Sequence, residues 1–591
     1  MLLLLPVVVF AMSTSGCVSG PPGPVFVADA FVKAFAEHRL DSAAELTNLP
    51  EQAGAALHSA WDQLQAEQLI AHTGTVRVNG DTATVAYTYQ WQLPRHRVWS
   101  YSGHLQMGRS GGRWMVRWTS SNIHPELGDT HTMALRSNPP PRARVNEHSG
   151  SDVLVPGTVH RVAFTAAEAP NAVAVAGTLA ATLNRFDISL TARSILDAAR
   201  RTDSAHPVAL LSDHEAGQVA TDLTGLPGVT VTPQWDLVAT DRDFAPELLA
   251  QVRATVIEKV DGTAGWSVVT VNANGVDTRV LTEVLAQPAP SFTLGLDRTV
   301  QNAAQHAVDS RIEQAVMVLL RPSTGAITAV AQNNAADRDG LIATMGRYPP
   351  GSVFKTVTAA AAISVGLATP DTVLPCPSRI RIGERTIPNH HRFTAGSVPM
   401  SIAYQRSCNT SFAELASRLP GAALPDTAAK LGVGLDYSVA GLPMASGSIP
   451  PADDLVQRIE DGIGQGRVVV TPFEMALMAA TIAQGSAPVP YLIEGWPTEA
   501  DGDRSGIASD VLEGVRLMMR SVVTGGTAGR IADQGEVYGK TGEAETEGGS
   551  HSWFVGFRGD LAFATLLVEG GSSDNAVEVT RTMFAALPAG Y

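Results

Sequence analysis

Over the first 136 residues, the spacing of the apolar positions changes from a helical pattern to an alternating one. An apolar run from Met1 to Met12 opens the chain and is too short to cross a bilayer, which takes about 20 residues. After a tether rich in Gly and Pro, apolar residues recur at helical spacing from Phe26 to Leu46 and over Ala55–Ile70. Alternating stretches then predict strands over Thr75–Val78, Thr82–Trp91, Trp99–Met107 and Arg113–Ser120. Asn79-Gly80-Asp81 predicts a hairpin, so we expect an α+β unit over residues 25–136.

Two Pro-marked breaks, at Ser137–Arg142 and Gln287–Ser291, bound a second unit over residues 142–286. Its pattern is weak. Strands are predicted over Val173–Leu179 and Val268–Val271, and helices over Ala192–Arg200 and Phe244–Lys259. No combination of residues in this unit indicates a chemical function.

The third unit, residues 292–591, has strands at both ends and helices in its middle. Strands are predicted over Ala315–Leu320, Gly325–Val330, Val537–Thr541, Ser552–Phe557 and Ala562–Glu569. Helices are predicted over Leu296–Val308, Val353–Val365, Ser411–Leu419 and Pro472–Gln484. This order predicts an antiparallel sheet in which the two chain ends meet, with a helical lobe beside it. The whole chain is therefore expected to be an α+β multidomain protein.

Composition narrows the classes of function. The 591 residues are 45% hydrophobic and 17% charged, which is typical of globular domains. The formal net charge of −15 argues against nucleic-acid binding, which needs a basic face. The cysteines, Cys17, Cys376 and Cys408, have neither the number of a disulfide framework nor the spacing of a zinc site. We therefore predict no metal and no cofactor.

Cys17 directly follows the small residues Ser13–Gly16 and the apolar run. This arrangement fits an export signal and resembles a lipobox, in which the cysteine becomes the lipidated first residue of the mature protein. No Lys or Arg precedes the run, and Thr14 stands where Leu is usual, so a longer membrane anchor and a chance cysteine remain alternatives. With a lipid or an anchor, the rest of the chain is expected at the extracytoplasmic face of the cell membrane.

Ser352 and Lys355 form an S-x-x-K motif directly after Pro349-Pro350-Gly351, at the predicted start of a helix. Residues three apart share one face of a helix, so the Lys355 amine can reach the Ser352 hydroxyl. A serine hydroxyl needs a neighbouring base to act as a nucleophile. A lysine can be that base when burial and a nearby cation lower its pKa. The motif has only two fixed positions and is weak by itself.

Ser407-Cys408-Asn409 reads S-x-N, 55 residues beyond Ser352. A second hydroxyl can relay a proton between a base and a leaving group, and the Asn409 amide can hold both the Lys355 ammonium and a substrate backbone. The plainer interpretation is a helix cap, because Ser and Asn are ordinary residues at that position. The triplet alone favours the cap.

Lys540-Thr541-Gly542 reads K-T-G and lies at the end of a predicted strand. Lys540 can place positive charge near the active serine, and the Thr541 hydroxyl can bind a carboxylate. Gly542 can let a substrate lie close to the strand edge. The alternative for the triplet alone is an exposed strand end.

The three triplets occur in one order, each on the expected type of element. Together they are the signature of serine acylases such as penicillin-binding proteins and β-lactamases. Flanking stretches sharpen the resemblance to penicillin-binding transpeptidase domains: GIGQG at 462–466, TPFEMA at 471–476, HSWFVGF at 551–557 and the helix opening at Leu296–Gln301. The resemblance covers about 300 residues, 292–591.

The chain as a whole resembles the class B, monofunctional penicillin-binding proteins, and in particular the penicillin-binding lipoproteins of mycobacteria and relatives. The resemblance implies an NTF2-like domain over 25–136, for which 113–127 is the main support, and a transpeptidase domain over 292–591. Residues 142–286 match the pedestal or dimerisation domain by position only. The implied activity is that of a peptidoglycan D,D-transpeptidase that β-lactams acylate.

By that resemblance, Ser352 attacks the D-Ala–D-Ala bond of a stem peptide, and an amine of a neighbouring stem peptide then accepts the acyl group. Lys355 deprotonates Ser352. The proton then moves to the leaving amine with the help of Ser407 and Lys540, while Asn409 holds Lys355. Thr541 and Gly542 contact the substrate, and the backbone amides of Ser352 and Glu543 bind the oxyanion. A D,D-carboxypeptidase or endopeptidase, a β-lactamase and an idle β-lactam sensor remain open. Further implied partners are the membrane and a membrane-embedded glycosyltransferase.

Glu543 departs from the family, in which Thr or Ser is usual after K-T-G. Its carboxylate is expected near the carboxylate of a substrate or β-lactam. Like charges about 4 Å apart repel by roughly 4 kcal/mol at an effective dielectric of about 20, before solvent and rearrangement reduce the cost. We therefore expect weak acylation by some β-lactams.

Cys376 and Cys408 fall in the same predicted domain. We expect two unpaired thiols, with a 376–408 disulfide as the alternative outside the cytoplasm. Cys408 is expected to point away from Ser352.

Trp91, Trp99, Trp114 and Trp118 cluster in the first unit. We expect them to fill the core of the sheet, with a carbohydrate-binding platform as the alternative.

Overall fold

The computed structural model describes residues 22–140, 144–186, 190–202, 204–261, 263–502 and 506–591. These residues form two compact units. The first contains residues 22–140, 158–235 and 263–288, and the second contains 144–157, 236–261 and 289–591. Residues 142–286 are therefore divided between the units, and a separate domain there stays a prediction. Cys17 lies outside the described residues, and none of the helices within them is long and apolar enough to cross a bilayer.

The first described segment is a helical layer followed by a sheet. Its elements are α1 (Pro24–Ala36), α2 (Leu40–Ala44), α3 (Pro50–Leu64), β1 (Gln68–Asn79), β2 (Thr82–Leu93), β3 (Arg97–Ser110), β4 (Arg113–Val116) and β5 (Thr132–Asn138). Strands β1–β4 form one antiparallel sheet in chain order. The predicted hairpin is confirmed, since Asn79 pairs with Thr82 and Gly80 has a φ of 59°. The predicted helix Ala55–Ile70 is too long, because Gln65 takes a left-handed conformation (φ 51°) that ends α3.

The core of this sheet is aromatic. Trp91 is fully buried, with its ring centroid 5.6 Å from that of Phe35 and 5.4 Å from that of Trp61. Its indole nitrogen donates a hydrogen bond to the Tyr101 hydroxyl at 3.0 Å. Trp99 and Trp118 are also buried, and Trp114 is half-buried. The expectation that the tryptophans fill the core is confirmed.

The middle segment alternates strands and helices. Its elements are β6 (Val145–Asn146), β7 (Asp152–Phe164), α4 (Ala172–Leu183), α5 (Ala192–Ala199), β8 (His206–Ser212), α6 (Asp213–Leu223), β9 (Val229–Ala239), α7 (Pro246–Asp261), β10 (Gly265–Val271) and β11 (Asp277–Val284). The predicted strand Val173–Leu179 is wrong, because the Asn171 side chain accepts the Ala174 N–H and caps an alanine-rich helix. The predicted strand Val268–Val271 is confirmed within β10, which lies between β5 and β11.

The last segment has a sheet built from both of its ends. Its elements are β12 (Phe292–Thr293), α8 (Arg298–Asp309), β13 (Ala315–Leu320), β14 (Ile327–Gln332), α9 (Asn334–Asp337), α10 (Ile342–Met345), α11 (Lys355–Ser364), β15 (Val373–Cys376), β16 (Arg379–Ile382), β17 (Arg385–Pro388), β18 (Gly396–Pro399), α12 (Met400–Gln405), α13 (Asn409–Arg418), α14 (Ala423–Lys430), β19 (Tyr437–Ser438), α15 (Leu455–Asp461), α16 (Pro472–Gln484), β20 (Glu499–Ala500), α17 (Ser509–Gly525), β21 (Val537–Thr546), β22 (Gly549–Arg558), β23 (Leu561–Leu567) and α18 (Ser573–Ala586). The strand order β14-β13-β23-β22-β21 is antiparallel throughout, so the predicted meeting of the chain ends is confirmed.

Helices cover this sheet. Every residue of β13, β14 and β23 is buried, and α8, α16 and α18 pack on the strands. Helix α16 begins where the sequence places it, because Thr471 and Glu474 form a reciprocal capping box with Pro472 at the first helical position. The buried Glu474 carboxylate also accepts the amides of Gly434 and Gly447, both at 2.9 Å, and burial raises its pKa. This carboxylate therefore fixes two loops of the helical lobe to the start of α16.

Candidate active site

Ser352 lies in a 3₁₀ turn, Gly351–Phe354, that leads directly into α11. Trp553 donates a hydrogen bond from its indole nitrogen to the Pro349 oxygen at 3.0 Å, and the Gly351 amide donates to the Gly464 oxygen at 3.0 Å. Gly351 has a φ of 53°, and a Cβ on it would lie 2.4 Å from the Glu543 oxygen. The nucleophile turn is therefore held between β21 and the loop that contains Gly464, and only glycine fits before Ser352.

Lys355 is fully buried, and its amine lies at the centre of the cluster. The Nζ atom is 2.8 Å from Ser352 Oγ, 2.5 Å from Asn409 Oδ1, 2.9 Å from the Ser407 oxygen and 3.2 Å from Ser407 Oγ. Burial, and secondarily the nearby Lys540 amine, hold the pKa of Lys355 well below its usual value. A neutral amine at this distance can accept the Ser352 proton.

Ser407 connects the two buried amines. It is in the left-handed region (φ 58°), and both its carbonyl oxygen and its hydroxyl accept hydrogen bonds from Lys355. Lys540 donates to the same hydroxyl at 3.0 Å and to the Thr541 oxygen at 2.9 Å. Burial lowers the pKa of Lys540 to about 7, although the Glu543 carboxylate acts in the opposite direction. One hydroxyl thus offers a path for a proton between Lys355 and Lys540.

The helix-cap interpretation of S-x-N does not describe these side chains. Helix α13 begins at Asn409, yet no side chain caps its first turn. The Asn409 oxygen contacts Lys355 instead, and its amide nitrogen donates to the Pro388 oxygen at 3.1 Å. Asn409 therefore joins Lys355 to the end of β17.

K-T-G lies in the middle of β21 rather than at an exposed strand end. Lys540 and Thr541 are buried, and the strand continues to Thr546. A Cβ on Gly542 would lie 2.8 Å from Val353 Cγ2 and 2.9 Å from the Pro350 oxygen. The glycine thus permits β21 to approach the nucleophile turn, a different reason from the substrate contact that the sequence suggested.

Glu543 makes contacts through both its backbone and its side chain. Its backbone oxygen accepts a hydrogen bond from Gln465 at 3.2 Å, and its carboxylate accepts one from the Ser573 amide at 2.7 Å. The other carboxylate oxygen is 3.6 Å from His390 Nδ1. Weak acylation by some β-lactams, expected from this carboxylate, stays a prediction.

Cys376 and Cys408 form a disulfide, so the expectation of two unpaired thiols is wrong. They are 32 positions apart, and the chain between them folds back through the β15–β18 pairing, which places the end of β15 beside the start of α13. Spacing in the sequence does not show this proximity. Cys408 Sγ lies 3.2 Å from Thr410 Oγ1 and is fully buried, whereas the residues on either side of Cys408 contact Lys355.

Three further residues reach the site without having been assigned to it from the sequence. Thr527 Oγ1 is 2.6 Å from Thr541 Oγ1, so the two hydroxyls act as a pair, while Gln465 and His390 both contact Glu543. Gln465 belongs to the GIGQG stretch, which could have suggested it. Thr527 follows Gly525-Gly526 and His390 lies in a loop, and neither carries a local signal.

Comparisons with known proteins match two regions of the chain to protein families. The family "Penicillin binding protein transpeptidase domain" matches residues 315–587, and "NTF2-like N-terminal transpeptidase domain" matches residues 23–131. Peptidoglycan D,D-transpeptidase PbpA of Mycolicibacterium smegmatis is 30% identical over 38% of this chain and 50% of its own. Penicillin-binding protein PbpB of the same organism is 32% identical over 42% of this chain and 43% of its own. Peptidoglycan D,D-transpeptidase MrdA of Escherichia coli is 25% identical over 39% of this chain and 42% of its own.

The chain thus spans about half the length of the curated relatives it matches. Among solved structures, the complex between penicillin-binding protein PBP2 and MreC from Helicobacter pylori aligns with a TM-score of 0.56 at 16% identity. The alignment covers 77% of this chain and 98% of that one, and at this identity it concerns the fold alone. The mixed α+β architecture, the NTF2-like domain and the transpeptidase domain are as the sequence predicted. The chain belongs to the penicillin-binding proteins, among the class B members that resemble those of mycobacteria.

Proposed function

We propose that this protein is a peptidoglycan D,D-transpeptidase, which cross-links stem peptides through an acyl-enzyme on Ser352 and is acylated by β-lactams at the same residue. The observation that carries the proposal is the 2.8 Å contact between Ser352 Oγ and the buried Lys355 amine, whose pKa is lowered. The names of the related D,D-transpeptidases support it.

In the first half-reaction, Lys355 takes the proton of Ser352, and Oγ attacks the carbonyl carbon of the D-Ala–D-Ala bond. The oxyanion lies between the backbone amides of Ser352 and Glu543, and donors of this kind contribute roughly 3 kcal/mol each. The proton passes through Ser407, with Lys540 beside it, to the nitrogen of the departing D-Ala. Thr541, paired with Thr527, binds the terminal carboxylate of the substrate.

In the second half-reaction, the amine of another stem peptide attacks the acyl-enzyme. Its surplus proton returns through the same hydroxyl and amine to Ser352, which regenerates the enzyme. The chemistry needs no redox step and no further reactant. Lys355 is the base while its amine is neutral, and it is the acid once the amine has taken up the proton.

The family indicates where this activity takes place, because class B penicillin-binding proteins act on the extracytoplasmic cell wall. We further propose that a lipid on Cys17, or a longer anchor, tethers the chain to the membrane. A membrane-embedded glycosyltransferase is the proposed partner that supplies uncross-linked glycan strands.

The proposal is tested by intact mass spectrometry of residues 18–591 incubated with a fluorescent penicillin, alongside Ser352→Ala. We expect a stable one-to-one adduct on the wild type and none on the variant. A donor–acceptor peptide pair then identifies the acceptor, since a cross-linked dimer indicates transpeptidation and free acid indicates a carboxypeptidase. Hydrolysed penicillin without a lasting adduct would indicate a β-lactamase, and inertness towards penicillin and an acyl-D-Ala thioester would indicate an idle sensor.

A further inference from the structure

Glu543 introduces a formal negative charge on the strand that lies against the nucleophile turn. It directly follows Lys540-Thr541-Gly542 on β21, and its backbone oxygen lies against the nucleophile turn, as the 2.4 Å approach to a Cβ on Gly351 shows. Gln465 donates to the same oxygen and fixes this peptide. The Glu543 backbone therefore lies against the residue before Ser352, at the position from which its amide would bind the oxyanion.

The carboxylate is held in place rather than free to turn into solvent. Oε1 accepts the amide of Ser573, the first residue of α18, at 2.7 Å. A charged acceptor at the N-terminus of a 14-residue helix is stabilised by the hydrogen bond and by the helix dipole. The side chain is 25% exposed, so its charge remains accessible from solvent.

His390 faces this carboxylate from another element. Its Nδ1 is 3.6 Å from Glu543 Oε2, and the histidine side chain is 57% exposed. The preceding residues are fixed to the S-x-N motif, because Asn409 donates to the Pro388 oxygen and the Thr410 amide donates to Asn389 Oδ1 at 3.1 Å. The Glu543–His390 pair therefore connects the strand of K-T-G with the segment attached to S-x-N.

The other basic groups near this pair are either buried or exposed to solvent. The Lys540 and Lys355 amines are buried, and burial lowers the pKa of both, that of Lys540 to about 7. The His391 ring centroid is 3.9 Å from that of His390, and the side chains of His391 and Arg392 are exposed. An anionic group that enters beside β21 therefore meets a fixed carboxylate, whereas an ammonium group finds a counter-charge.

We propose that Glu543 is a specificity residue for the acyl acceptor. It favours an acceptor whose ammonium group lies next to a neutral amide carbonyl, and it disfavours one whose ammonium group lies next to a free carboxylate. The inference rests on the proposed transpeptidase function, since only aminolysis of the acyl-enzyme uses such an acceptor. The chemical class is thus an amino-acid amide, or a peptide whose carboxyl groups near the reacting amine are blocked.

The test uses residues 18–591, an acyl-D-Ala thioester as donor, and the acceptors D-alanine and D-alaninamide, which differ in the carboxylate alone. We expect the wild type to transfer the acyl group to D-alaninamide about fivefold faster than to D-alanine, a charge effect of the size expected at a partly exposed site. Glu543→Gln should abolish most of this preference while its amide oxygen still accepts the Ser573 hydrogen bond. Glu545→Gln removes the same charge from an exposed position two residues further on and should keep the preference.

Penicillin labelling of Ser352 is measured in parallel on each variant. Labelled protein that transfers to both acceptors at equal rates would overturn the inference while the proposed function stands. Equal loss of preference in Glu545→Gln and Glu543→Gln would do the same, because it would indicate a diffuse effect of net charge. Labelled protein that transfers to neither amine would instead overturn the proposed transpeptidase function and this inference with it.

Discussion

Both units bury polar side chains among apolar ones, but the two sets behave differently. In the first unit, Tyr89 is buried with Trp91 and Tyr101 is partly buried beside them, and burial raises the pKa of both phenols. In the second unit, Lys355 and Lys540 are buried together, and burial lowers the pKa of both amines. Burial favours the neutral form in each case.

The consequence of neutrality is opposite for the two groups. A neutral phenol is the ordinary form of tyrosine, so the first unit gains packing without changing the reactivity of its side chains. A neutral amine is a base, so the second unit gains a group that can deprotonate a serine. Burying an amine costs stability, and the site retains two of them within reach of one hydroxyl. A polar group whose burial makes it reactive is therefore a better indicator of function than burial itself.

Removing the buried amine of Lys355 tests directly whether this amine is the base. Lys355→Ala should lower the rate of penicillin acylation about 10³-fold, since general-base groups contribute roughly 10²–10⁴. Lys355→Met should lower it equally and should not lower the thermal midpoint, because it fills the site without a buried amine. Lys430→Ala, in helix α14, is the matched control and should retain the wild-type rate. A Lys355→Ala protein that still acylates within tenfold of the wild type would refute the role of this amine.

The complementary change is made in the aromatic core. Trp91→Ala should lower the free energy of unfolding by about 4 kcal/mol, as expected for the loss of a fully buried aromatic ring. The remaining folded protein should acylate at the wild-type rate at low temperature. Trp114→Ala, at a half-buried position, should cost less than half as much. Urea unfolding and the acylation rate are measured on the same samples, and a Trp91→Ala protein with native stability but slow acylation would contradict the division of roles.

The protonation of the two buried amines should also determine how the rate of acylation depends on pH. At acid pH Lys355 is protonated and cannot take the Ser352 proton, so the acylation rate should rise with pH through the lowered pKa of Lys355. Above about pH 7, Lys540 loses the positive charge that it holds beside Thr541, so Thr541 should retain the ligand carboxylate less well and the rate should fall about tenfold between about pH 7 and 9. Lys540→Arg keeps the charge and should remove the alkaline decline. The phenols of Tyr89 and Tyr101 stay neutral over this range, so their absorbance should not change.

Much of the second unit could be predicted because its signals are local. The helix Pro472–Gln484 has the predicted bounds, because the residues that start it, its capping box and its first proline, lie within four consecutive positions. The order of strands and helices was enough to predict that β13 and β21–β23 share a sheet. The predicted strand at Val173–Leu179 is wrong because the alanines and the Asn171 cap, which favour a helix, outweigh the alternating valines.

The unpredicted parts of the site depend on contacts between distant residues. The disulfide joins residues 32 apart, and Thr527 meets Thr541 across a loop. His390 approaches Glu543 from a segment more than 150 positions earlier, and no spacing rule connects them. The triplets identified which residues carry the chemistry, whereas the neighbours that hold them appeared only in three dimensions.

The left-handed backbone at Ser407 limits what evolution or an engineer can place there. Threonine would keep a hydroxyl, but a β-branched side chain in that conformation costs about 1–3 kcal/mol and would turn the hydroxyl away from one of the two amines. Glycine would relieve the backbone, but it would leave Lys355 and Lys540 with no shared acceptor. Of the small residues, serine alone satisfies both demands, so this position is closed to the exchange between serine and threonine that most protein surfaces tolerate.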